Sequence, residues 1–208
     1  MAALQKGKMR ALPEGATKAT TISHWPTLVL HAQGKGARMK ETPQEYTKRI
    51  RGYVDGKDPL KIQKSTAKKL QKVIKPLSKK QMKRRPGPDQ WSIAEILAHL
   101  SDAEVVGSWR LRLILGNSGL PIQAYDQEVW AKTFNYADRD PKESLKVFRV
   151  LRENNLELLK RVPEELWENH GMHAERGKET IARVVEMFAG HDLNHLQQVE
   201  KIAKTAKR

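Results

Sequence analysis

Cysteine is absent from this 208-residue chain. Disulfides, cysteine-based zinc sites, iron–sulfur clusters and a cysteine nucleophile are therefore excluded, and a cytoplasmic setting fits. Long apolar runs are missing as well. No stretch approaches the ~20 residues that a membrane span needs, and Thr27-Leu28-Val29-Leu30 is too short for a signal-peptide core. There is no glycine-rich phosphate loop, no Gly-x-Ser-x-Gly elbow and no zinc-finger spacing. Acids are scarce at the front, where residues 1–38 hold only Glu14. That scarcity suits a transit peptide, but two arginines and one serine are too few for one.

Charge is present in excess, and its position matters more than its sum. The formal net charge is +15. Residues 1–90 contain 22 Lys/Arg and 6 Asp/Glu, whereas residues 91–208 contain 17 and 18. A nucleic-acid reading must therefore rest on the front of the chain, on Lys68-Lys69, Lys79-Lys80 and Lys83-Arg84-Arg85. A solvated lysine face is the simpler account, so nucleic acid is not the favoured partner. Residues 1–38 show neither helical nor strand periodicity, and their scattered apolar side chains cannot offset the entropy of ordering. They read as a disordered basic extension. Met39 directly precedes the first capped element, and a start there would make residues 1–38 an over-extended reading.

From residue 39 the chain reads as one helical domain. Thr42-Pro43-Gln44-Glu45 is a capping box with proline at the first helical position. A second helix is expected over about Pro59–Lys75, a third from after Gln90 to about Gly116, a fourth from Pro141 under the Asp140 cap, and a last one over about Thr180–Lys204. Four long helices, no convincing strand and no 20–50-residue repeat predict an all-α antiparallel four-helix bundle. The connection from Asn117 to about Arg139 is long for a bundle loop, which marks it as a candidate functional segment.

Three histidines carry the chemistry. His191 and His195 stand four apart, on one face of the last helix. His99 lies within the apolar stripe of Ile93, Ile96, Leu100, Ala103 and Val106. All three face the expected core. A single buried histidine is normally satisfied by a backbone carbonyl. Three together need partners for six ring nitrogens, and one metal ion satisfies three at once. Three nitrogen ligands leave a coordination position open, the arrangement of a catalytic metal. His191-Asp192-Leu193-Asn194-His195 is not a zincin motif, because Asp192 replaces the glutamate and no third ligand follows downstream. A carboxylate-bridged di-iron site needs Glu-x-x-His, which does not occur. Asp102, one turn after His99, is a candidate to orient a ligand imidazole or to accept a proton, with a solvated helix charge as its equal alternative. Asp192 is expected to point outward. The tryptophans read as core, apart from Trp130, whose place in the long loop makes it a candidate substrate contact. His170 and His173 lie where a loop could cap the site and carry no assigned role.

Trp91-Ser92-Ile93-Ala94-Glu95-Ile96-Leu97-Ala98-His99-Leu100-Ser101-Asp102 resembles the second-helix signature of the DinB-like superfamily. His191-Asp192-Leu193-Asn194-His195-Leu196-Gln197-Gln198 resembles its last-helix signature. Tyr125-Asp126-Gln127-Glu128-Val129-Trp130 and the stretch Gly171–His173 are similar to the YfiT-type branch. The resemblance covers roughly residues 43–203. It implies a four-helix bundle, often a homodimer, with zinc or nickel on the histidines matching His99, His191 and His195. It also implies a metal-dependent hydrolase acting on a small molecule, or else a transferase of low-molecular-weight thiols. The lysine-rich front departs from the family pattern.

Overall fold

The computed structural model describes residues 41–206, and the extension expected over residues 1–38 lies outside the described residues. Helix α1 spans Pro43–Gly52 and is held by the capping box read from sequence: Thr42 Oγ1 accepts from Glu45 N, and the Glu45 carboxylate accepts from Thr42 N. Helix α2 spans Pro59–Ile74, with Asp58 capping the amides of Leu60 and Lys61. A short α3, Lys79–Lys83, leads to α4, Ile93–Gly116, whose cap is a second box between Ser92 and Glu95. Strand β1, Pro121–Ile122, and helix α5, Gln127–Thr133, follow. Helix α6, Pro141–Leu159, starts at Asp140, which caps Lys142 and Glu143. A 3-10 turn at Glu164–Glu168 precedes strands β2, His170–His173, and β3, Gly177–Thr180. The chain closes with α7, Ile181–Ala206.

Helices α2, α4, α6 and α7 form the four-helix bundle: α4 packs on α6 and α7, and α2 packs on α7 and α6. The sequence reading held no strands, and here the structure corrects it. The strands form a small sheet in the order β1-β2-β3, with β1 parallel to β2 and β2 antiparallel to β3. These strands are at most four residues long, too short for alternating hydrophobicity to register. Part of the long connection expected after Asn117 is thus β1 and α5.

Two apolar clusters fill the bundle. One joins Leu70, Ile74, Ile93, Leu97, Phe148, Leu196 and Val199; the other joins Leu111, Ile114, Ile122, Leu159, Ile181 and Val184. Between them runs a buried polar layer of Gln63, Thr66, Glu104, Arg152, Asn155 and Asp192. Arg152 is its centre. Its guanidinium donates to both Glu104 oxygens (3.0 and 2.7 Å) and to both oxygens of Asp192, and it lies 4.8 Å over the Phe148 ring. Asp192, expected to point outward, is 0% exposed. Burying a carboxylate there is possible because α6 supplies a forked cation at bonding distance. Val150 of α6, two residues before Arg152, is 54% exposed. Adjacent residues lie about 100° apart on a helix, so the inward stripe runs through Phe148, Arg152 and Asn155 and leaves Val150 on the opposite side. Helix α1 crosses α7 at Gly190, where a Cβ would lie 2.1 Å from the Ile50 carbonyl oxygen. Only glycine permits that approach, which brings α1 beside His191.

Candidate metal centre

Helix α4 carries His99, and α7 carries His191 and His195 one turn apart. Their positions follow from the apolar stripes that bury both helices: His99 is 1% exposed and His195 7%, while His191 is half-buried. The three rings turn their Nε2 atoms together. His191 Nε2 lies 2.9 Å from His99 Nε2 and 3.1 Å from His195 Nε2. Ring centroids are 4.4 to 5.0 Å apart. Among the described residues this is the group whose donor atoms converge tightly enough to hold a metal ion.

The electrostatics suit a cation. Burial pushes the His99 and His191 imidazoles well below their ordinary pKa, and it holds His195 at about 4. All three are thus neutral near pH 7, the form that ligates metals. His195 Nδ1 lies 2.9 Å from Gln198 Oε1 and donates to it, which leaves a lone pair on His195 Nε2. That lone pair faces His191 Nε2. One shared proton cannot satisfy every nitrogen in such a cluster, whereas a cation between them can. Tetrahedral zinc with bonds of about 2.0–2.1 Å sets neighbouring nitrogens about 3.3 Å apart, close to the spacing found here. The residues present fit a divalent metal ion. His99 packs against Trp91, with centroids 5.0 Å apart, and its buried Nδ1 has no hydrogen-bond partner among the described residues.

Asp102 and Trp130 are the other expected site residues. Asp102 Oδ1 accepts from Arg139 Nη1 at 2.7 Å, and its recorded bonds among the described residues include none to a ligand imidazole. Trp130 lies on α5, half-buried, with its ring centroid 4.4 Å from that of Tyr125 and 5.3 Å from that of Phe134, both pairs tilted. Gln198 escaped the sequence reading, although its position one turn after His195 is the spacing that would have suggested it. Arg152 escaped too, because nothing local ties it to Asp192.

The sequence model of the DinB superfamily matches residues 64–199, a span that runs from α2 into α7 and includes all three histidines. The chain belongs to the DinB superfamily. Among curated relatives, a protein of Oceanobacillus iheyensis named "Putative metal-dependent hydrolase" is 25% identical over 114 residues, covering 55% of this chain and 66% of its own. The chain thus spans just under two thirds of that relative's length. A second, "Putative metal-dependent hydrolase YfiT" of Bacillus subtilis, is 20% identical over 138 residues, covering 65% of this chain and 77% of its own. The solved structure of YfiT, described as a probable metal-dependent hydrolase with an unusual four-helix bundle topology, superposes with a TM-score of 0.65 at 16% identity. It covers 81% of this chain and 91% of that one. This DinB-superfamily chain therefore shares the YfiT bundle fold.

Proposed function

We propose that this protein is a metal-dependent hydrolase of small molecules, with His99, His191 and His195 holding a zinc or nickel ion. The convergence of three neutral Nε2 atoms at 2.9 and 3.1 Å carries the reading. Held by His99, His191 and His195, a divalent cation would supply Lewis-acid polarisation of a carbonyl and a lowered pKa for bound water. The protein's own groups do the rest. Gln198 fixes the His195 ring with Nε2 aimed inward, and Trp91 packs against the buried His99 ring. Asp102, one turn from His99, is the candidate proton acceptor, with its charge steadied by Arg139. Trp130 and Tyr125 form an aromatic shelf for substrate. No helix among the described residues is long and apolar enough to cross a membrane. The same reading carries a cytoplasmic setting and a homodimeric assembly, the latter checked by light scattering.

Metal analysis of the purified wild type beside His191→Ala tests the centre. The wild type should hold about one equivalent of ion and the variant almost none; equal content would remove the basis of the proposal. Screening esters and amides with and without a low-molecular-weight thiol then separates hydrolysis from thiol transfer. Turnover that strictly needs the thiol would assign the alternative chemistry.

A further inference from the structure

A second buried cluster lies further along the same helix and has no part in the metal centre. Arg110 is 7% exposed, yet among the described residues no carboxylate lies within ion-pair distance of its guanidinium. Its recorded partners are the Gln123 carbonyl oxygen, 2.8 Å from Nη2, and His173 Nε2, 3.4 Å from the same atom. Glu179 is 3% exposed and is engaged by Arg176 at 2.7 and 3.0 Å. Buried charges are ordinarily paired, so an unpaired guanidinium beside a satisfied ion pair is a place where charge is owed.

His173 sharpens the point. Its Nδ1 accepts from the backbone N–H of Glu175 at 3.1 Å, so the proton of the neutral ring sits on Nε2. That N–H faces Arg110 Nη2, itself a donor. Burial, with Arg176 nearby, keeps the ring neutral by lowering its pKa to about 4. Two donors at 3.4 Å have nothing to give each other, and an acceptor placed between them satisfies both. The guanidinium fork fits a carboxylate through two parallel bonds, and one carboxylate balances the single uncompensated charge.

The cluster lies on the metal side of the bundle. Arg110 follows His99 by eleven residues, which returns it to nearly the same helical face about 16 Å along the axis. Its long side chain extends back along α4 in the direction of His99. Phe188 spans the interval: its ring covers Gly107 of α4, where a Cβ would meet it at 2.7 Å, and its centroid lies 6.4 Å from that of His191. Tyr125 is close enough to feel Arg110, Tyr46, Asp102 and Arg176.

We propose that Arg110 and His173 form a carboxylate-binding subsite, and that the substrate is an acyl compound bearing a carboxylate at the end remote from the hydrolysed bond. The second half rests on the hydrolase reading; the subsite itself does not. Calorimetric titration of the full-length, zinc-loaded protein with hexanoate, hexanol and inorganic phosphate tests it. Hexanoate should bind the wild type and His191→Ala alike, hexanol should not bind, and Arg110→Gln should weaken hexanoate by at least about tenfold. Equal binding by Arg110→Gln overturns the subsite. Loss in His191→Ala with retention in Arg110→Gln also overturns it, because the carboxylate then sits on the metal. Phosphate binding as tightly as hexanoate overturns the carboxylate assignment. Should Arg110→Gln not fold, Arg110→Lys keeps the charge but loses the fork, and an unchanged affinity there has the same meaning. The metal content of His191→Ala, read on the same samples, judges the hydrolase reading separately.

Discussion

His191 and Asp192 are neighbours on α7, yet they open onto two buried polar clusters of opposite character. Asp192 joins a network in which donors and acceptors are matched: Arg152 bridges Glu104 and Asp192, Asn155 donates to Glu104 at 2.7 Å and to Ser108 at 2.8 Å, and Gln63 donates to the Val185 carbonyl at 2.8 Å. His191 joins a cluster in which lone pairs face one another and, among the described residues, no carboxylate is recorded bonded to the three rings. Both cost desolvation. The first recovers it inside the protein and ties α2, α4, α6 and α7 together. The second recovers it only when something else is bound. A saturated polar cluster is architecture, and an unsaturated one is a site.

Breaking the saturated cluster should give the largest effect on stability. Arg152→Met leaves two buried carboxylates without their cation and should cost about 3–5 kcal/mol in urea unfolding. The protein that remains folded should keep its metal. Loss of metal from that folded fraction would mean that the two clusters act as one unit. Acid tests the next term. His173 is 3% exposed, and burial lowers its pKa from the ordinary imidazole value of about 6.5 to about 4. In the unfolded chain it takes up a proton below about pH 6.5, while the folded chain resists until about 4. Its contribution is therefore present above pH 6.5 and is lost as pH falls through that window, by about 3 kcal/mol for this group alone. Unfolding free energies that stay flat between pH 7 and pH 4 would contradict this burial. The smallest effect belongs to Gln198→Ala, which frees the His195 ring without emptying the core. Metal affinity should drop about 10- to 100-fold, with unfolding free energy changed by less than about 0.5 kcal/mol. A variant that unfolds but binds metal normally would reverse the roles assigned to the two clusters.

The helices were legible because their signals are local. The caps at Thr42 and Asp140 marked where α1 and α6 begin, and stripes at 3–4 residue spacing marked the inward faces. The same stripes placed His99, His191 and His195 inside. Asp192 was misread because a carboxylate beside an inward histidine carries the local signature of a solvated charge. Its partner, Arg152, comes from another helix, 40 residues away in sequence. Arg110 hid for the same reason, since only folding brings it to His173 of β2 across 63 residues.

The order of residues alone determined the helices of the bundle, with three imidazoles on their core-facing stripes, since backbone hydrogen bonding and burial periodicity act over a few residues. Tertiary structure decided which buried polar groups are satisfied and which are left wanting a partner. That depends on distances between atoms remote in sequence, and bonding distance is reached only when the helices pack.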